Sequence, residues 1–150
     1  MVVASAGTRG FDDEPVSDTM DEEFARFGTD TTAFRSRMVT GALLDEADVV
    51  LTAEARHRSR LLEERPASFR KIFTLGQFVE SARGADPSLR GRYLIAALSN
   101  RRAPASPDYD IDDPYRRGPE EAQRAATTME GMLEVLVDRL RQISQTDDST

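Results

Sequence analysis

The chain has 150 residues, no cysteine and a formal net charge of −7. Without cysteine these residues form no disulfide, thiolate metal site or thiol nucleophile, and the acidic balance argues against general nucleic-acid binding, which rests on phosphate neutralisation. The length fits one domain with a core of its own. No apolar run approaches the ~20 residues of a membrane span and no signal-peptide pattern opens the chain, so a cytoplasmic protein is expected.

In chain order, residues 1–5 are short, apolar and β-branched and read as a strand covered on both faces. Ser5-Ala6-Gly7-Thr8 then turns into an acidic loop through Pro15. A helix is expected over 18–27: Thr19 and Glu22 have capping-box spacing, Met20, Phe24 and Phe27 share a face, and Gly28 is placed to stop it. Phe34 and Met38 are expected anchors, and 40–46 a short helix. Residues 48–52 form the clearest strand. Helical spacing resumes over 53–65, with Ala55, Leu61 and Leu62 inward and Pro66 as the terminator. Residues 71–74 are a third strand, and Leu75, Phe78, Val79 and Ala82 lie on one face of the helix that follows. Asp86-Pro87 resembles an N-cap and first turn, opening a helix that carries Leu89, Tyr93 and Ala97.

Residues 101–115, rich in Pro and Asp, are expected to form an ordered loop. Gly118-Pro119 opens the last helix, with Ala122, Ala126, Met129, Leu133, Leu136, Leu140 and Ile143 facing inward at 3–4 spacing. The polar stretch 144–150 is expected to be a disordered tail to a domain spanning 1–143. Strands alternating with helices imply an α/β fold with a parallel sheet, in which ligands bind beyond the carboxyl ends of strands.

The stretch with the most chemistry in it is Asp110-Ile111-Asp112-Asp113-Pro114-Tyr115. Three carboxylates in four positions supply a candidate general acid. Pro114 restricts its own backbone and pushes Asp113 out of the helical region, which holds that side chain on a turn. As a bare motif it also fits a solvated acidic loop ahead of a helix.

The order of motifs adds to this. Ser5-Ala6-Gly7-Thr8 after a strand is followed by Arg37-Met38-Val39-Thr40 and by Ala47-Asp48-Val49-Val50-Leu51-Thr52. Phe73-Thr74-Leu75-Gly76-Gln77-Phe78 comes next, and Asp113-Pro114-Tyr115 precedes the terminal helix. Together these resemble the low-molecular-weight protein tyrosine phosphatases over residues 2–143, with 52–58 closest to bacterial, actinobacterial members. The resemblance implies a three-layer sandwich of the phosphotyrosine phosphatase I type. It also implies hydrolysis of protein phosphotyrosine or a similar aryl phosphate through a cysteinyl-phosphate intermediate. By motif match Asp113 is the general acid, Tyr115 lines the substrate entrance, and Ser5 supports the phosphate loop from behind. The implied partner is a phosphorylated protein or small aryl phosphate; no cofactor or metal is implied.

The chain departs from that pattern in one respect that matters. The family's nucleophile stands in a C-x5-R-[ST] loop between a first strand and first helix, and neither the cysteine nor that unit is found in these residues. The expectation is therefore an N-terminally truncated member, inactive as written. The alternatives are a catalytically dead pseudophosphatase that binds a partner, or an arsenate reductase-like protein, which also needs thiols. Thr52-Ala53 stands where many members have Met-Asp, and Arg116 where some carry a second aromatic. His57, the one histidine, lies among Arg56, Arg58 and Arg60 on a helix and reads as part of a charged surface. Arg101-Arg102 and Arg116-Arg117 flank the acid loop, either attracting phosphorylated substrates or keeping the loop solvated.

Overall fold

The computed structural model describes residues 2–9 and 11–141. The described residues fall into two compact units. One comprises those up to Ala47 with Asp113–Thr128, the other Asp48–Asp112 with those from Met129 on. Ile143 and the stretch 144–150, expected as the end of the core stripe and as a tail, lie outside the described residues, as does Met1.

In the first unit, helix α1 runs over Asp18–Arg26 and ends as expected, with Gly28 in the left-handed region at φ 71°. Its start differs from expectation: Ser17 is the N-cap residue and no side chain caps the helix. The one buried residue of α1 is Glu23, whose carboxylate pairs with Arg26 at 2.9 Å, one turn on. Burying a carboxylate is costly without such a partner. Helix α2, Gly41–Glu46, is capped by the Thr40 hydroxyl, which accepts from the Leu43 N–H at 3.3 Å and sets buried Leu44 inward.

The strand expected over 1–5 is not formed by residues 2–5. Val2 and Val3 are 97% and 80% exposed, and among the described residues the pairing here is one parallel bridge between Gly7 and Met38. Gly7 donates to the Arg37 carbonyl at 2.8 Å and accepts from Val39 at 2.9 Å. β-branched residues favour strands through packing with neighbours, and Val2 and Val3 have none to pack against. Phe34 and Met38, expected as anchors, are exposed.

The second unit is α/β. Strand β1, Val50–Thr52, pairs in parallel with β2, Ile72–Thr74, in the register Val50–Ile72, Leu51–Phe73 and Thr52–Thr74. Helix α3, Ala55–Glu64, connects them with a 3-10 turn over Pro66–Arg70, giving the βαβ unit that the alternation of elements implies. Helix α4, Leu75–Arg83, leaves β2 through a capping box: the Thr74 hydroxyl accepts from the Gln77 N–H at 3.0 Å while the Gln77 side chain accepts from the Thr74 N–H. This reciprocal cap turns the chain from strand to helix within one residue.

Helix α5 spans Gly91–Asn100 and starts later than Asp86-Pro87 predicts. Asp86 caps a local turn instead, its carboxylate accepting from both the amide and hydroxyl of Ser88. The inward side of α5 is therefore Leu94 and Leu98, and Tyr93 is exposed. Phe73, Phe78, Ala82, Leu94, Leu98 and Leu140 form the buried core of this unit. Phe73 and Phe78 meet edge to face, with centroids 5.4 Å apart.

Helix α6, Pro119–Arg141, contributes Ala122, Ala125 and Ala126 as buried residues of the first unit and Leu140 of the second. Leu133, expected on the stripe, is exposed.

Candidate functional site

The loop between α5 and α6 is held at a series of points before it reaches Asp113. Arg102 reaches back to four backbone carbonyls: Phe69 and Ile72 through Nη1 at 2.9 and 3.2 Å, and Arg70 and Ser99 through Nη2 at 2.7 and 3.2 Å. Ala103 comes next; its carbonyl accepts from Gln77 Nε2 at 2.7 Å and its amide donates to Ser81 Oγ at 2.9 Å. A 3-10 turn, Pro107–Tyr109, then lies directly on α4 at Gly76, where an added Cβ would come within 2.4 Å of the Tyr109 carbonyl oxygen.

Asp110 and Ile111 make the final attachment. Asp110 Oδ1 accepts from the Ala55 N–H at 2.7 Å, and the Ile111 N–H donates to the Ala53 carbonyl at 3.0 Å. Asp110 thus caps α3 across the fold, where Glu54 makes no capping bond of its own. It is a structural carboxylate. The loop joining two helices is therefore an ordered segment, as its composition implies.

Two residues beyond Ile111, Asp113 stands exposed on the turn that Pro114 imposes. Its carboxylate accepts from the Tyr115 N–H at 3.0 Å. The Arg117 N–H closes the next turn on the Pro114 carbonyl at 3.0 Å, with Arg116 in the left-handed region at φ 59°. A side-chain-to-backbone bond two residues on is the Asx-turn device, and it fixes which way the carboxylate faces. Asp112 is exposed beside it.

The Tyr115 ring, 44% exposed, packs against Phe11, 57% exposed, with centroids 5.8 Å apart and planes tilted by 52°. The Arg116 guanidinium covers the Tyr115 ring at 5.1 Å. Sequence reasoning missed Phe11, which sits in an acidic loop with no periodicity to mark it. Its position is set two residues later: Asp13, at φ 63°, donates its N–H to the Ser36 carbonyl at 2.8 Å, and Ser36 donates back to the Glu14 carbonyl at 2.8 Å. The first unit thus brings together an oriented carboxylate and two accessible aromatic rings.

Ser5, also of the first unit, is exposed, and its carbonyl accepts from Arg37 Nε at 2.9 Å. Its hydroxyl has no hydrogen bond among the described residues. His57 lies 3.7 Å from Glu54 on α3, and no cluster of metal-ligating side chains occurs among the described residues. Among them, too, no helix is long and apolar enough to cross a membrane.

A model of the family described as "Low molecular weight phosphotyrosine protein phosphatase" matches residues 1–93. "Probable low molecular weight protein-tyrosine-phosphatase EpsP" of Ralstonia nicotianae is 22% identical over 139 residues, spanning 93% of this chain and 77% of that protein. Among solved structures, the low molecular weight protein tyrosine phosphatase from T. tengcongensis is 25% identical with a TM-score of 0.68, covering 91% of this chain and 76% of that one. The YwlE arginine phosphatase from Geobacillus stearothermophilus, 24% identical, has the same fold at a TM-score of 0.68 over 90% of this chain and 71% of its own.

Proposed function

Since this chain belongs to the low molecular weight phosphotyrosine protein phosphatase family, we propose that Asp113 is the general acid for hydrolysis of an aryl phosphate. Tyr115 and Phe11 are the wall on which the aryl group rests. The observation that carries this reading is the Asp113-Pro114-Tyr115 turn, which presents an exposed carboxylate held by a backbone N–H next to a pair of accessible rings.

In the family reaction a thiolate attacks phosphorus and the phosphorus–oxygen bond to the aryl group breaks. Protonated Asp113 gives its proton to the leaving oxygen. The carboxylate so formed then takes a proton from the water that attacks the cysteinyl phosphate, releasing inorganic phosphate and the thiolate. The exposure of Asp113 and the Tyr115 N–H that holds its carboxylate support both roles. An aromatic wall selects a flat leaving group by stacking and edge contacts.

These 150 residues hold no cysteine. The thiolate has to be supplied from outside them, and the chain alone is expected to leave an aryl phosphate intact. An arsenate reductase of the same fold needs thiols as well and meets the same requirement. A second reading, a binding module without turnover, is favoured by the retained turn and ring pair in a chain without a nucleophile.

The test is release of nitrophenol from p-nitrophenyl phosphate. It compares this chain with the same chain joined at its N-terminus to a strand, C-x5-R-[ST] loop and helix of the family pattern. Release is expected only from the joined protein; with phenyl phosphate, whose leaving group needs the proton, Asp113→Asn in it lowers kcat/KM by about 10²–10⁴. A joined protein that folds and turns over phenyl phosphate equally well with Asp113→Asn overturns the assignment. Tight binding of a phosphotyrosine peptide by the chain alone, with no turnover in the joined form, favours the binding module.

A further inference from the structure

The second unit carries a cationic cluster that the phosphatase reading does not use. Residues 65–107 hold eight basic side chains against two acidic ones, Glu80 and Asp86, in a chain whose net charge is −7. Between Arg65 and Val79 there is no carboxylate at all. Arg83 pairs with Glu80 and Arg90 with Asp138, so the positive charge open to a partner is that of Arg58 and Arg70.

Within this stretch is Phe69, an aromatic side chain left 51% exposed on the 3-10 turn Pro66–Arg70. Two guanidiniums lie over its ring, Arg58 at 5.2 Å and Arg102 at 4.7 Å from the centroid. Both also donate to the same acceptor, the Ile72 carbonyl, Arg58 through Nε at 3.1 Å and Arg102 through Nη1 at 3.2 Å. Two like charges are thus gathered on one carbonyl and one ring. Neither has a carboxylate partner among the described residues, and burial lowers the pKa of each, with the charge of Arg58 lowering that of Arg102 further.

The two arginines differ in what they have left to offer. Arg102 spends both terminal nitrogens on carbonyls, so its role is to fix the cluster. Both terminal nitrogens of Arg58 make no hydrogen bond among the described residues. The adjacent Arg70 side chain is exposed and also makes none. A carboxylate accepts a guanidinium through two parallel bonds, and an exposed ring beside it adds apolar contact. Arg and aromatic side chains together are the composition of binding hot spots.

We propose that the Arg58–Phe69–Arg70 face docks an acidic peptide segment of a partner protein, carboxylates on Arg58 and Arg70 and an aromatic or aliphatic side chain on Phe69. A protein segment fits better than a nucleic acid. Outside residues 65–107 the chain is negative by thirteen, so a long polyanion that outran the local patch meets repulsion, whereas a short peptide does not. The docking needs no phosphate ester and stands apart from the reading of Asp113.

Fluorescence anisotropy with a fluorescein-labelled Glu-Glu-Trp-Glu-Glu peptide tests this on the 150-residue chain. Binding is expected at low ionic strength and weakens as salt is raised, because the pairing is at a screened surface. Arg70→Glu, whose side chain holds no other group, lowers affinity at least about fivefold. Arg58→Gln does the same, with circular dichroism confirming an unchanged melt. Equal binding of a Gln-Gln-Trp-Gln-Gln peptide, indifference to Arg70→Glu, or tighter binding of a single-stranded oligonucleotide each overturns the proposal.

Discussion

Asp110→Ala is expected to destabilise the fold although Asp110 lies on a loop, 55 residues from the helix it serves. Helix α3 begins with Glu54 as its N-cap residue, and that side chain bonds Arg56 instead of a helix amide. The free amide of Ala55 is satisfied by Asp110 Oδ1 at 2.7 Å. Removing an N-cap acceptor costs about 1 kcal/mol, and losing a negative charge at a helix N-terminus about 0.3–1 kcal/mol more. Asp110→Ala therefore loses about 1–2 kcal/mol. Asp110→Asn keeps the acceptor and loses only the charge, about 0.3–1 kcal/mol. At about 2–4 °C per kcal/mol for a chain of this size, Tm falls by about 2–8 °C for the alanine and about 1–4 °C for the asparagine. Thermal melts followed at 222 nm, with urea titrations to check the ranking, read both. A Tm for Asp110→Ala equal to that of the parent would refute the capping account. An asparagine variant as damaged as the alanine would show that the hydrogen bond contributes nothing.

Gly76→Ala places a methyl group 2.4 Å from the Tyr109 carbonyl oxygen and 2.6 Å from its Cβ, so the 3-10 turn has to move off α4. A loss of about 1–3 kcal/mol is expected by urea unfolding, with the loop around Tyr109 becoming open to limited proteolysis. The Asp86 carboxyl is held below its ordinary value of 3.8 by the hydroxyl of Ser88, then by its amide. A depressed folded value stabilises the fold above the unfolded value, and this contribution is lost as pH falls through the folded one. Ser88→Ala removes the larger cause and flattens that acid limb below pH 3.8 in urea midpoints measured against pH.

Most of the helices were legible because their signals are local. Thr40 before α2, Gly28 after α1 and Pro66 after α3 work within one turn of the elements they bound. The paired strands were legible too, as apolar runs between helical segments. What failed depended on partners far away in sequence. Val2 and Val3 have the composition of a strand and no strand beside them. Asp86-Pro87 has the composition of a helix start, yet the Ser88 hydroxyl competes for the carboxylate and the helix waits until Gly91. That delay exchanges Tyr93 for Leu94 on the buried face.

Asp110, Asp112 and Asp113 look alike in sequence, and their roles separate only through the amides they meet: Ala55 for the first and Tyr115 for the third. Arg102 reads as a soluble charge of a loop and is instead a clamp on four carbonyls, drawn in by the rings of Phe69 and Phe73. Phe11 had no local signal, since its meaning comes from Tyr115, 104 positions along the chain.

The sharpest test of Asp113 is the dependence of turnover on the leaving group in the joined, cysteine-containing protein. An acid that protonates the departing oxygen makes kcat/KM, which reports the step that breaks the aryl ester, nearly indifferent to the pKa of the leaving phenol. With Asp113→Asn, phenyl phosphate is expected to slow far more than p-nitrophenyl phosphate, whose leaving group needs no proton. If both esters slow by the same factor, or neither slows, Asp113 does not deliver the proton.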